Sequence, residues 1–244
     1  MNTLTVDIGN SRTKIDSWTN SGFLSEIEAQ DFSAEEILKE ASLRQADAII
    51  ISTVRYDSGQ LTEKLKESGL SVVKFDNEEI RRHYQLKGYK GRIGTDRIAA
   101  WLGAKSLFPE DALLIADAGT ALTIDLSDPE GDFCGGNISL GLKTRLQALS
   151  KATAQLPLVD LTGEYSGIGH DTSSAIINGA LNGITAEVIF MNHEAKNKFE
   201  NIKVVITGGD GKLLQNELRK AGYSGTYDPY LVGRGLNHHL RTFY

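Results

Sequence analysis

The sequence predicts an α/β protein built from two copies of one lobe, residues 1–112 and 113–244, and three observations point to it. Apolar runs of strand length alternate with segments of helical periodicity, the pattern of strands covered by helices. The stretch "VDIGNSRTKI" near the start is echoed by "ADAGTALTID", and their acids Asp7 and Asp117 stand 110 positions apart, nearly half the chain. No low-complexity or linker-like segment separates the halves, so they are expected to pack closely.

Each element has its own signal. "MNTLTVDIG" is a strand, and "SRTKIDSWTN" alternates well enough to be its hairpin partner. "FSAEEILKEASLRQ" is a helix with Ser33 as N-cap and Glu36 three residues on, the reciprocal capping pattern. "ADAIIISTV" is an apolar strand, "SGQLTEKLKESG" an amphipathic helix ending at Gly69, and "LSVVKFD" a further strand. Thr95 to Leu107 is helical by spacing. "DALLIADAGTALTIDLSD" then restarts the strand–turn–strand pattern of the N-terminus. Helices follow in "GLKTRLQALSKAT" and "SSAIINGALNGITAEVIFMNHEAKNKF", then the strand "IKVVITGG" and the helix "GKLLQNELRKAG".

The repeated loop is where the chemistry concentrates. An Asp-x-Gly turn alone needs no function, because Asp and Gly both favour turns. Two copies at matching places, each followed by polar residues and then Thr13 or Thr123, suit a polyphosphate ligand better. Gly9 and Gly119 let the backbone approach closely, and successive amides with the hydroxyls of Ser11, Thr13, Thr120 and Thr123 donate to phosphate oxygens. Lys14 supplies positive charge. The carboxylates repel phosphate, so they are expected to hold a cation, Mg²⁺ by its preference for a few carboxylates plus phosphate and water. Two loops facing across a cleft would clamp a nucleotide and its metal.

Other nucleotide signatures fail. In "ITGGDGKLL" a phosphate loop needs glycine where Ile206 stands and a hydroxyl where Leu213 stands. "GRGLNH" has His238 where a dinucleotide fingerprint needs its last glycine. A net charge of -6 and a pI of 5.4 argue against nucleic acid as the main ligand. No apolar run approaches bilayer length, and the N-terminus lacks the pattern of a signal peptide, so neither membrane nor export is expected. With Cys134 as the single cysteine no intrachain disulfide forms, and a reducing cytoplasm is the expected compartment.

A third cluster is "GRIGTDRIAAW". Thr95 is read as an N-cap, and an acid in the first turn favours the helix dipole, which accounts for Asp96 without chemistry. It does not account for Arg97, whose charge is unfavourable there. Arg97 suits an external carboxylate, and its neighbour Asp96 a proton taken from a substrate hydroxyl.

The ordered set resembles type III pantothenate kinase, within the actin-like (ribonuclease H-like) superfamily of sugar and acetate kinases. The family's Asp-x-Gly-Asn-Thr-x-x-Lys stands here as "DIGNSRTK", Asp7 to Lys14, with Ser11 for threonine. Its Gly-x-Asp-Arg is Gly94 to Arg97, and its Asp-x-Gly-Thr-Ala-x-Thr is Asp117 to Thr123. "GGNI", Gly135 to Ile138, and "TGG", Thr207 to Gly209, complete the order. The resemblance implies two duplicated lobes with mixed sheets and a nucleotide cleft between them. It implies ATP-dependent phosphorylation of pantothenate, the first step toward coenzyme A. Asp7, Ile8, Gly9, Asn10, Ser11, Arg12, Thr13, Lys14 and Thr120 would contact ATP, and Asp7 would hold Mg²⁺, directly or through water. Asp117 matches the ligand of a monovalent cation, K⁺ or NH₄⁺. Asp96 matches the proton acceptor, and Gly94, Thr95, Asp96, Arg97 and Thr172 the pantothenate site. Members are homodimers with that site near the subunit interface.

The family's Tyr-x-x-Pro before this motif is absent from "HYQLKGYKGRIGTDR", which leaves Tyr89 as the substrate-side tyrosine and Tyr84 as its competitor. Leu140-Gly141 replaces the usual Pro-Gly after "GGNI". Two rivals stand beside this reading: another small-molecule kinase of the superfamily, though sugar kinases are generally much longer, and a nucleotide-binding regulator of the Bvg accessory factor type. Trp18 and Trp101 are expected to pack, and Cys134 to be buried. His83, His193, His238 and His239 are expected in structural or exposed roles, no His/Asp/Glu spacing resembling a zinc site. His170, near Thr172, reads equally as pocket lining or loop.

Overall fold

The first strand, Thr3–Ile8 (β1), forms because β-branched and apolar residues fill it, and it lies at the centre of a five-stranded sheet. A computed structural model describes this and all other residues except 56, 57, 88, 162–164 and 166. Thr13–Thr19 (β2) returns antiparallel to β1, and Gly22–Ala29 (β3) pairs antiparallel with β2. Ala48–Thr53 (β4) and Ser71–Phe75 (β5) add parallel strands on the other side, giving the order β3-β2-β1-β4-β5. Helices Ala34–Leu43 (α1), Gly59–Lys66 (α2), Asn77–His83 (α3) and Thr95–Leu107 (α4) accompany them.

The second sheet repeats the first. Ala112–Ala118 (β6), Ala121–Ser127 (β7) and Phe133–Leu140 (β8) form the antiparallel meander, and Ile202–Thr207 (β9) and Thr226–Tyr227 (β10) the parallel side. The order β10-β9-β6-β7-β8 matches the first sheet strand for strand. Even the irregularities correspond: β2–β3 shifts register at Ser17/Trp18 and β7–β8 at Leu126/Ser127. Leu142–Ala152 (α5), Thr172–Lys196 (α6) and Gly211–Lys220 (α7) belong with this sheet.

The contacts divide the chain into Met1–Pro109 with Tyr230–Tyr244, and Glu110–Pro229. The division expected from the sequence lay between residues 112 and 113 and assigned the C-terminus to the second lobe. The terminal helix Leu231–Phe243 (α8) instead packs along α4 and against β1 and β4 of the first unit.

In the first unit Leu4, Val6, Ile15, Ile49 and Ile51 face α1 and α2 in one apolar cluster. Ile50, Ile98, Trp101, Leu236 and Leu240 are also buried, so the central strands are covered on both faces and read as continuous apolar runs. The capping box that starts α1 forms as expected: Glu36 N–H donates to Ser33 Oγ (3.2 Å) and Ser33 N–H to Glu36 Oε2 (2.8 Å). α4 and α8 touch through glycine. A Cβ on Gly235 would stand 2.7 Å from the Ala99 carbonyl carbon and from Gly103 N, and closer still to Ala99 O.

In the second unit Leu114, Ala116, Leu122, Ile124 and Ile206 pack under Ile177, Leu181, Ile184 and Val188 of α6. The sequence was expected to contain no run of bilayer length. By length and composition α6 does pass that test, but its apolar face covers the sheet, which makes it a core helix. Trp18 and Trp101 are buried as expected. Cys134 is exposed rather than buried, because it sits on β8 at the sheet's edge.

Candidate active site

In the first unit the site is built at the C-terminal ends of parallel strands, where open α/β sheets bind ligands. Asp7 is the penultimate residue of β1, in register with Lys14 on β2 and Ser52 on β4. The turn after it is closed by Gly9 N–H donating to Arg12 O (3.0 Å), which leaves Asn10, Ser11 and Arg12 exposed at its tip. Ile8 is buried in the core and offers the ligand only backbone. Thr13 is buried too, and its hydroxyl accepts from Arg55 (2.7 Å).

The basic residues of the loop are held by β3. Lys14 Nζ donates to Glu26 Oε2 at 3.0 Å with Glu28 at 3.8 Å, and Arg12 pairs with Glu28. Burial works to lower the Lys14 pKa, but the hydrogen bond and charge of Glu26, aided by Asp16 and Glu28, outweigh it and the net shift is upward. Asp16, across from Glu26, is almost fully buried. Burial, then the neighbouring Glu26 charge, pushes its pKa up to about 8.

The Gly94–Arg97 segment joins this loop through a hydroxyl pair. Ser52 Oγ donates to Thr95 Oγ1 (2.8 Å), tying the start of α4 to the strand that flanks Asp7. Thr95 is therefore not the cap. Gly94 occupies the N-cap position, with no side-chain capping bond, and the threonine hydroxyl is turned to β4. Asp96 lies in the first turn, its Oδ1 accepting from Arg97 N–H (2.8 Å). Burial raises the Asp96 pKa, against the opposing pull of the Arg97 amide and charge. Arg97 is buried, and its NH1 donates to Tyr89 OH (3.0 Å) while its guanidinium lies over the Tyr89 ring at 5.5 Å. Tyr84 is engaged elsewhere, with its hydroxyl 2.9 Å from His239 Nδ1. Of the two tyrosines, Tyr89 is the one beside Arg97.

The second unit repeats the arrangement. Asp117 is in register with Thr123 and Thr207, as Asp7 is with Lys14 and Ser52. Gly208 follows Thr207 at φ +89°, and a Cβ there would come within 2.6 Å of the Ala118 carbonyl group and closer to the Asp117 carboxylate. Only glycine lets these two segments approach. Thr120 is exposed at the turn tip, and its carbonyl accepts from Gly141 N–H (3.0 Å) and Thr144 Oγ1 (2.6 Å). Thr172 is the first residue of α6, after the capping Asp171, and opens on a cavity of ≈ 590 Å³ shared with Arg145, Leu146, Leu149 and Ile176. His170 is exposed beside it.

Three residues of this arrangement carried no functional reading in the sequence: Ser52, Glu26 and Glu28. Ser52 had one available signal, a hydroxyl one residue from the end of an apolar strand, as Asp7 is in its own strand.

Both carboxylate loops offer only oxygen donors, Asp7 with Ser52 alongside and Asp117 with Thr207 alongside, which suits hard cations such as Mg²⁺ and K⁺. A family profile described as type III pantothenate kinase matches residues 3–193. A type III pantothenate kinase of Flavobacterium johnsoniae is 31% identical over 227 residues, covering 91% of this chain and 92% of that protein. Among solved structures, a Campylobacter jejuni protein described as a Baf family transcriptional activator aligns at TM-score 0.65 and 21% identity over 98% of both chains. A ROK hexokinase from Thermus thermophilus aligns at TM-score 0.57 and 13% identity over 99% of this chain and 100% of its own. At these identities the two structures speak for the fold alone.

Proposed function

Because the chain belongs to the type III pantothenate kinase family, we infer that it phosphorylates pantothenate with ATP, yielding 4′-phosphopantothenate at the first step toward coenzyme A. The observation that carries the mechanism is the Ser52–Thr95 hydrogen bond, which fixes an acid–arginine pair beside the Asp7 loop.

Phosphoryl transfer needs positioning and charge neutralisation more than covalent chemistry. The amides around Gly9, with Asn10, Ser11, Arg12, Thr13 and Lys14, receive the phosphates, and Thr120 is the corresponding ATP-binding hydroxyl of the second unit's own loop. Lys14 must turn from Glu26 toward the phosphates to do so. Arg97, stacked on Tyr89, takes the carboxylate end of pantothenate. Asp96 aligns the pantothenate hydroxyl and accepts its proton, and Gly94 and Thr95 hold the segment in place. Asp7 would hold Mg²⁺ and Asp117 a monovalent cation, K⁺ or NH₄⁺. Bound there, such ions neutralise triphosphate charge. Thr172 contributes from the α5–α6 cavity, and the reading includes a homodimer, supported by the exposed Ile138, Leu140 and Phe190 of the second unit. It includes a cytoplasmic site of action.

The test is Asp96→Asn in a coupled ADP-release assay, with pantothenate run against a panel of sugars and acids. Loss of general-base help lowers kcat about 10²–10⁴-fold at unchanged melting temperature. A variant with near-full activity removes Asp96 from the base role, and preference for a sugar overturns the substrate.

A further inference from the structure

Away from the phosphate loops, the first unit encloses a second group of ligating side chains. Glu79 and His83 stand four residues apart on one face of α3, and α8 brings His239 against them. His239 Nε2 lies 3.0 Å and His83 Nε2 3.1 Å from the same oxygen, Glu79 Oε1. The ligating atoms of the three residues all fall within 4.8 Å of one another. His239 is fully buried and Glu79 nearly so. No sequence spacing signals the group, because position 239 is remote from 79 and 83 and only the fold unites them.

Hydrogen bonding alone does not satisfy the group. Glu79 Oε1 is hydrogen-bonded to His239 Nε2 and to Tyr244 OH (2.8 Å), which fills its two lone pairs, and His83 Nε2 lies against the same oxygen with none left for it. Glu79 Oε2 is already taken by Arg82 at 2.9 Å. His83 stands 3.1 Å from Glu79 Oε1, yet its buried Nε2 has no hydrogen-bond partner among the described residues. Native interiors rarely tolerate such an atom. At the same time Tyr84 OH, 2.9 Å from His239 Nδ1, fixes that ring by its far nitrogen, as partners of metal-bound imidazoles do, and aims Nε2 at Glu79. Phe75 and Phe243 pack on the His239 ring at 5.0 and 5.1 Å, and Trp101 on Tyr84 at 5.7 Å, which buries that imidazole.

We propose that Glu79, His83 and His239 form a structural site for a borderline divalent cation, zinc by ligand type, that clamps α8 to α3. Two imidazole nitrogens and one carboxylate oxygen are a known zinc ligand set, and Tyr244 OH, 2.8 Å from Glu79 Oε1, is a further oxygen at the group. Mg²⁺, which prefers all-oxygen shells, does not suit it. The site is separate from phosphotransfer and acts on the seating of the terminal helix.

The full-length protein, dialysed against a chelator, is titrated with Zn²⁺ against a competing zinc dye and then melted with Zn²⁺ or chelator. The expected result is one Zn²⁺ per chain and a melting temperature several degrees higher with metal. His83→Ala, at the least buried of the three ligands, lowers affinity at least 100-fold and removes the melting response. His83→Cys restores both, since a thiolate also binds zinc, and pantothenate kinase activity with Mg²⁺ and ATP stays within twofold throughout. Substoichiometric zinc in the parent protein, or equal affinity and an equal melting shift in His83→Ala, overturns the proposal in favour of a metal-free hydrogen-bonded cluster.

Discussion

Replacing Gly235 by alanine tests the joint between α4 and α8. The added Cβ would overlap Ala99 O and lie 2.7 Å from Ala99 C and Gly103 N, whereas ordinary contact begins at 3.4 Å, so the helices must part by well over 0.7 Å at that level. The obstructing atoms are backbone and cannot swing aside. Overpacking of this kind costs about 1–3 kcal/mol, and contact with two backbone groups at once puts it at the upper end. Alanine returns about 1 kcal/mol through helix propensity. The net expectation is a loss of about 2 kcal/mol, roughly thirtyfold in the folding equilibrium. Urea unfolding measures it as a lower midpoint at unchanged slope. Because the clash falls at Ala99, three residues beyond Asp96, kcat/KM for pantothenate should drop about tenfold as well. Gly179→Ala is the control: it is helical and exposed, with nothing within 4 Å of its Cβ, and should gain about 0.5–1 kcal/mol. If Gly235→Ala is as stable and active as the parent, the close packing of α4 on α8 is wrong.

Three further expectations follow from the charges. Burial raises the Asp96 pKa, and only the carboxylate accepts a proton, so kcat/KM should fall with decreasing pH at a point above the ordinary aspartate range; an acid limb at or below that range contradicts the base role. Asp16 keeps a proton in the folded state up to about pH 8 that the unfolded chain releases near 3.8, so its contribution to stability is complete below about pH 4 and lost as pH rises to 8. Asp16→Asn should flatten the decline of stability between pH 5 and 8, by at most about 1.4 kcal/mol per pH unit, and equal slopes by urea titration would exclude this proton. Exchange of K⁺ for Na⁺ should depress kcat in the parent but not in Asp117→Asn, and indifference of the parent to the swap removes Asp117 from cation binding.

What the sequence revealed and what it hid have physical reasons. The duplicated acid loops were legible because each rests on a buried strand with strong apolar patterning, and the capping box of α1 because its two partners lie three residues apart. β3 and β8 were missed: edge strands are half exposed, and "FCGGNISL" carries two glycines that weaken the strand signal. α3 was missed because its seven residues bury only Glu79 and Ile80, too few to show a period. Thr95 resembled a cap by residue type, but the bond to Ser52 spans 43 positions and no local rule predicts it. The choice between Tyr84 and Tyr89 likewise turned on a residue remote in sequence, His239, which holds Tyr84.

The placement of α8 sets an order for biosynthesis. Residues 110–229 are contiguous and can fold as soon as they leave the ribosome, whereas the unit of residues 1–109 lacks its covering helix until residues 230–244 emerge. The half made first is completed last. Nascent chains stalled before Leu231 should therefore resist protease in their later half and yield in their earlier one.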